Sequence, residues 1–265
     1  MIKAARKSFT PDLLFFFFIG AIVGFVGGYA GIGGAPILIT LLVVGKGFSQ
    51  HAAQGTILAV MLGPMSLFGV WAIKEKLKNK WDLILISVLT FAVFSYFGGA
   101  IAYLFSDFAL KKLFGIVLLL LSSRYILKVF EKTESQPGRT RIFKLNYPVM
   151  FLFSIITGSV GGLFGIGSGL IMVPVFNKLF GFDKDTARGL SLAILLPPVS
   201  IGAVYRYQFS NDVHWLVAIL IFFGYFLTNY FGSRMALTHS EKKFSFYFGS
   251  ILLLLGLLYL SPLVK

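Results

Sequence analysis

The sequence predicts an all-α, polytopic membrane protein built from two homologous halves. Three observations carry that expectation: long uncharged apolar runs, sparse charge, and a glycine-rich segment that occurs twice. Of 265 residues, 57% are hydrophobic and only 13% charged, and mean hydropathy is +0.86. A soluble domain averages about 45–50% apolar and about 25% charged. Uncharged stretches cover 13–44, 57–73, 83–106, 113–123, 149–176, 216–233 and 244–264. Several reach the ~18 apolar residues expected of a spanning helix.

The repeated segment is Val26-Gly27-Gly28-Tyr29-Ala30-Gly31-Ile32-Gly33-Gly34. It returns 134 residues later as Val160-Gly161-Gly162-Leu163-Phe164-Gly165-Ile166-Gly167-Ser168, with six of nine positions identical. The offset persists without a gap: Ala53 matches Ala187, Gly55 Gly189, Pro64 Pro198, Ser66 Ser200, Trp81 Trp215 and Phe97-Gly98 Phe231-Gly232. This divides the chain into an N-terminal transmembrane repeat (10–130), a polar linker (131–146) and a C-terminal repeat (147–262). Within the linker, Ser135-Gln136-Pro137-Gly138 has the composition of a surface loop.

Each half reads as an interrupted apolar stretch (12–45 and 148–180) followed by three helices. These fall at about 50–73, 82–105 and 109–129, then 186–206, 214–237 and 244–262, or 8–10 helical segments in all. As one helix, 12–45 would be roughly 51 Å long, too long for a single ~30 Å crossing. A stretch broken at the glycines must either go in and come back as a hairpin or cross twice, and with three further crossings either arrangement changes side an odd number of times. The second half is then inverted relative to the first, a recurring transporter plan. Counting basic residues on the two sides separates inverted from parallel halves poorly, and Lys3, Arg6 and Lys7 favour an inside N-terminus. Those residues before an apolar run imitate a signal peptide, but no small-x-small cleavage site follows, so the segment is read as mature protein.

The net charge of +14 does not point to nucleic acid, because Lys and Arg lie mostly between spans, as at Lys74, Lys76, Lys78 and Lys80. The absence of cysteine excludes disulfide, iron–sulfur and thiol chemistry. No His-Glu-x-x-His, no paired intramembrane carboxylates and no nucleophile–base spacing occur, so neither an enzyme, a metal site nor a cofactor is expected.

The candidate substrate-binding residues begin at the glycine breaks: Gly31, Gly33 and Gly34, then Gly165, Gly167, Ser168 and Gly169. Short apolar helices (35–44 and 170–178) start there, and a helix N-terminus offers unpaired N–H groups and a positive dipole end to an anion. Glycine also lets a ligand approach the backbone. Gly20, Gly24 and Gly28 are better read as a small-residue packing face. After each short helix comes a second marked segment, Ala53-Gln54-Gly55-Thr56 and Ala187-Arg188-Gly189-Leu190-Ser191. Gln54 and Arg188 are equivalent, and a guanidinium suits an oxyanion through two-pronged hydrogen bonding. Thr56 and Ser191 add hydroxyls. The competing explanation for Arg188 is snorkelling to the interface. His51 is read as interfacial, Asn229 and Arg206 as packing or interfacial residues, and Pro64, Pro197 and Pro198 as helix kinks.

With these motifs the sequence resembles the sulfite exporter (TauE/SafE-type) permease family, also called toluene-sulfonate uptake permeases. The resemblance rests on the duplicated Val-Gly-Gly-x-x-Gly-Ile-Gly-Gly/Ser pattern and the two Ala-Gln/Arg-Gly segments, and it covers essentially the whole chain. It implies a multi-pass plasma-membrane transporter of a small sulfur-containing anion such as sulfite or a sulfonate. The expected function is secondary transport by alternating access, in a lipid bilayer, with coupling ion and oligomeric state left open. The alternatives are a membrane-embedded assembly protein without transport and a passive anion channel.

Overall fold

The computed structural model describes residues 2–30, 34–78, 80–130, 147–167, 169–235 and 241–262. All regular structure among them is helical, in twelve segments: α1 (Ile2–Ala30), α2 (Ala35–Lys46), α3 (Gln50–Val60), α4 (Leu67–Leu77), α5 (Trp81–Ala102), α6 (Asp107–Phe130), α7 (Tyr147–Phe164), α8 (Gly169–Lys178), α9 (Lys184–Leu195), α10 (Ile201–Phe209), α11 (Trp215–Met235) and α12 (Glu241–Leu260). The starts of α8 to α12 each lie 134 residues beyond those of α2 to α6. The linker expected at 131–146 lies outside the described residues.

The interrupted apolar stretches are hairpins. Gly34 packs on Val23, while Gly45 at the other end of α2 meets Phe15, and the Lys46 ammonium lies 4.4 Å from the Phe15 ring centre. In the second half Phe153 of α7 meets Phe176 of α8, with ring centres 5.5 Å apart. Both α2 and α8 therefore return toward the side from which α1 and α7 came. Each return ends in a left-handed glycine cap, Gly47 (φ 69°) and Gly181 (φ 67°). Ser49 and Asp183 then cap the next helices by accepting from the Ala52 and Thr186 N–H groups, at 3.0 and 3.1 Å.

The expected single helices 50–73 and 186–206 are each two helices, which brings the segment number to twelve. The ladder fails where Pro64 and Pro198 lack an N–H, at the turns 61–66 and 196–200. Around the first break Leu62 N–H turns to the Ala59 carbonyl, leaving Leu58 O without its i+4 donor. A freed carbonyl inside a membrane protein must find another donor. Ser200 Oγ supplies it to Leu58 O at 2.9 Å, and Ser66 Oγ does the same for Leu192 O at 2.8 Å. The two broken helices thus lie side by side and antiparallel, each mending the other. Lys76, at the end of α4, binds Asp185 (2.7 Å) and Asp183 (3.5 Å) at the start of α9.

Long helices pair across the halves through glycines. A Cβ on Gly20, Gly24 or Gly28 of α1 would fall 2.3, 2.4 and 2.3 Å from the carbonyl oxygens of Ile221, Tyr225 and Asn229 on α11. Only hydrogen fits there, which allows the backbones to touch. The constant register shows that α1 and α11 run parallel. Their counterparts do likewise: Gly162 of α7 meets the Ser95 carbonyl of α5, and Gly158 meets Phe91. The equivalent helices α6 and α12, by contrast, run antiparallel, with Ser122 bonded to Gly249 O at 2.9 Å and Phe114 packed on Tyr259 at 5.1 Å.

Outward faces are apolar. On α5, Leu85, Leu89 and Val93 are more than half exposed at helical spacing, as are Ile219, Phe223 and Leu227 along α11 apart from Ile219 at 48%. An apolar belt this continuous is a lipid-facing surface. Three described helices, Trp81–Ala102, Tyr147–Phe164 and Trp215–Met235, are long and apolar enough to cross a membrane unaided. The protein is a multi-pass membrane protein.

Removing the Ser200 hydroxyl leaves the buried Leu58 carbonyl unmet, a loss on the order of 1–2 kcal/mol. Ser200→Ala and Ser66→Ala are each expected to lower the unfolding free energy in detergent by about that amount. A double-mutant cycle with no loss in either single variant would contradict the mutual mending of the breaks.

Candidate functional site

The site grows from the first hairpin tip and the two helix breaks. Gly34 ends the tip and caps α2, and Pro36 in the first turn has no N–H of its own. The first-turn backbone of α2 therefore faces inward with its positive dipole end. A cavity of ≈ 50 Å³ lies against it, room for a small oxyanion or a few waters. Gly27, Gly28, Gly34 and Ala35 form one wall, and Met61, Met65 and Ser66 of the first break another. Ile166 of the second tip, with Leu192 and Leu195 of α9, closes the far side. Tyr225, Asn229 and Ser233 of α11 supply polar atoms.

Asn229 connects three of these parts. Oriented so that both ends of its amide find partners, it donates to the Met65 carbonyl at 3.2 Å and accepts from Gly28 N–H at 3.1 Å. It is 5% exposed, so each of those contacts is made away from water. Its counterpart Ser95 serves the other break, with its Oγ 3.3 Å from the Val199 carbonyl. The helices α11 and α5 thus hold the turn of each break in place.

Arg188 does not snorkel to the interface. One terminal nitrogen of its guanidinium donates to Gly28 O at 3.0 Å, with Tyr29 O at 3.5 Å. Those carbonyls belong to the last turn of α1, the negative end of its dipole. A hairpin tip places that negative end beside the positive N-terminus of α2. Arg188 offsets the former and leaves the tip electropositive, which favours an anion in the adjoining cavity.

The other sequence candidates are placed as follows. Gly34 lines the cavity, whereas Gln54, Thr56, Gly165, Gly167, Gly169, Arg188 and Ser191 do not. Gly31, Gly33 and Ser168 lie outside the described residues. Gly165 (φ 67°) and Gly167 (φ 60°) hold left-handed backbone that a side chain would strain. A Cβ at Gly167 would fall 2.3 Å from the Met61 methyl, so this glycine stands one side chain behind the cavity wall. Thr56 Oγ1 accepts from His214 N–H at 3.1 Å and fixes the start of α11. Ser191 is fully buried and its hydroxyl has no hydrogen-bond partner among the described residues. Gly169 opens α8 as Ala35 opens α2. Gln54 packs against Gly165 of the second tip.

Sequence reasoning undervalued Ser66 and Asn229. Ser66 carried a signal, being repeated as Ser200 beside a repeated proline. Asn229 carried another, as an amide inside an otherwise apolar span, where polar residues are costly.

Residues 16–259 match the family model described as sulfite exporter TauE/SafE. The chain belongs to that family. Relatives of this TauE/SafE protein include a probable membrane transporter of Methanocaldococcus jannaschii, 31% identical over 210 residues, covering 76% of this chain and 74% of the relative. YunE of Bacillus subtilis, also a probable membrane transporter, is 25% identical over 90% of this chain and 93% of its own length. YfcA of Escherichia coli K12, another, is 24% identical over 85% and 81%. No solved structure matches the chain significantly. The protein is a membrane transporter of this family, not an enzyme.

Arg188→Met removes a charged hydrogen bond to the end of α1, an interaction of about 1.5–3 kcal/mol. Thermal unfolding in detergent is expected to register a loss of about that size. An unchanged midpoint would refute the role of Arg188 at the tip.

Proposed function

We propose that the protein is a secondary transporter of a small anion, a sulfur oxyanion or organosulfonate such as sulfite or sulfoacetate, in the plasma membrane. The observation that carries this reading is the cavity where the α2 N-terminus, the two helix breaks and Asn229 converge, beside a guanidinium that offsets the opposing dipole. Backbone N–H groups at the tip, with the Asn229 amide and the Ser233 hydroxyl, bind the anion, while Ser66 lines the cavity with its proton committed to Leu192 O. Gly34 lies at the anion contact. Gly165, Gly167 and Gly169 shape the opposite tip, whose Ile166 reaches the same cavity. Arg188 and Gln54 set the charge at the two tips, and Thr56 and Ser191 support them from the buried helices. The sulfur chemistry comes from the family description.

The repeats are inverted in this reading. A two-fold axis along the membrane normal would make equivalent helices parallel, yet α6 and α12 are antiparallel, and so are the broken pairs α3–α4 and α9–α10. A hairpin that does not cross, plus three crossings, also gives the odd change of side that inversion requires. Alternating access then consists of rocking one half against the other about the mended breaks.

Proteoliposomes loaded with the purified protein test the reading. Saturable uptake of at least one of sulfite, sulfoacetate and taurine is expected, with Asn229→Leu lowering affinity about tenfold or more, near 1.4 kcal/mol. Gln208→Ala, on a residue outside the cavity, leaves uptake unchanged. Absence of saturable binding for all three anions would rule the assignment out.

A further inference from the structure

The two hairpin tips use the same position for different chemistry. At the first tip, the last-turn carbonyls Gly28 O and Tyr29 O are met by the Arg188 guanidinium, at 3.0 and 3.5 Å. At the second tip the equivalent carbonyls are Gly162 O and Leu163 O, and the residue equivalent to Arg188 is the neutral Gln54. Here the Tyr207 hydroxyl lies 3.3 Å from Gly162 O, 3.4 Å from Leu163 O and 3.0 Å from Gln54 Oε1. One hydroxyl proton serves one acceptor well at a time, so this largely buried group of oxygens is short of positive charge. Gln54 and Tyr207 are both 0% exposed, and Gln54 Nε2 has no hydrogen-bond partner among the described residues.

We propose that the Gly162 and Leu163 carbonyls, Gln54 Oε1 and the Tyr207 hydroxyl form a binding site for a small monovalent cation, sodium, which takes the place that the Arg188 guanidinium fills at the first tip. The C-terminal end of a half-helix carries negative potential, and unwound carbonyls at such ends hold alkali cations in transporters built from broken helices. Hard cations prefer oxygen donors of this kind.

A polar track leads to the site from one end of the molecule. Gln50 stands one helical turn before Gln54, is 0% exposed, and both atoms of its amide lack hydrogen-bond partners among the described residues. The Tyr103 and Tyr207 rings lie 5.4 Å apart. Tyr103 donates to the Asp212 carboxylate at 2.7 Å, under an Arg206 guanidinium 4.0 Å from its ring centre. Asp107, which accepts from Gln50 N–H, is paired with Lys111 at 2.9 Å. Asp107 and Asp212 attract a cation to that end, and Lys111 keeps Asp107 from trapping it there. A cation bound at the second tip ties α7 to α3 and α10, so its binding is coupled to the position of that tip.

The test needs no anion substrate, so its outcome is separate from that of the anion reading. Thermal unfolding of the purified protein in detergent is measured in sodium, potassium and choline chloride at constant ionic strength. Wild type is expected to show a saturable, sodium-specific rise of roughly 5 °C or more. Gln54→Arg places a guanidinium where the first tip has one and is expected to abolish the sodium effect. Tyr207→Phe removes one ligand and is expected to raise the sodium concentration needed about tenfold or more, which decides the matter if Gln54→Arg does not fold. Equal behaviour of wild type in all three salts, as a resident water would give, overturns the proposal. So does an undiminished sodium shift in Gln54→Arg or Tyr207→Phe.

Discussion

The exchange of two serine hydroxyls at the helix breaks is the interaction on which the architecture rests. A membrane interior has no water to receive a freed carbonyl, so a helix interrupted by proline needs a donor from elsewhere in the protein. Ser66 and Ser200 answer that need reciprocally, each reaching the carbonyl that the other helix has released. Such a pair works only when both breaks lie at the same depth and face each other. That requirement fixes the relation of the halves, brings Met65 and Ser66 to the first tip, and places Val199 beside Ser95. The cavity is a product of the mending.

Much of this was legible in the residues. The duplicated glycine segment pointed to two halves, each with a glycine break in its first apolar stretch. Length parity indicated that 12–45 returns, and the contacts of Gly34 with Val23 and of Gly45 with Phe15 show the return. The breaks were less legible. Pro64 and Pro198 announce a lost N–H, but a single proline usually kinks a helix, and nothing local distinguishes a kink from a break. The difference lies in Ser66 and Ser200, whose targets are more than a hundred residues distant. The partners of Arg188 were hidden for the same reason, since its register on α9 gives no hint that Gly28 stands opposite.

Pseudo-symmetry also shows where the halves have diverged. The frame is shared: hairpins, caps at Gly47 and Gly181, and glycine contacts of α1 with α11 and α7 with α5. The polar chemistry is not. The amide of Asn229 stands where the other half has Ser95, Tyr225 where it has Phe91, and Arg188 where it has Gln54. Substitutions at equivalent positions therefore distinguish a tip that favours an anion from one richer in unmet oxygens. Only a frame redundant enough to hold two copies tolerates that specialisation.

The parallel register of α1 with α11 bears on how the protein is made. Gly20 meets Ile221 and Gly28 meets Asn229, partners about 200 residues later in the chain. At translation rates of about 5–20 residues per second, the small-residue face of α1 waits roughly 10–40 s for the helix that covers it. During that interval the first hairpin has neither α11 nor Arg188, and its tip lacks both its backing and its counter-charge. The hairpin enters the bilayer as an unfinished piece and is completed from the far end of the nascent chain. The cavity between the tips is consequently among the last features to form, which exposes it to any delay in elongation or insertion.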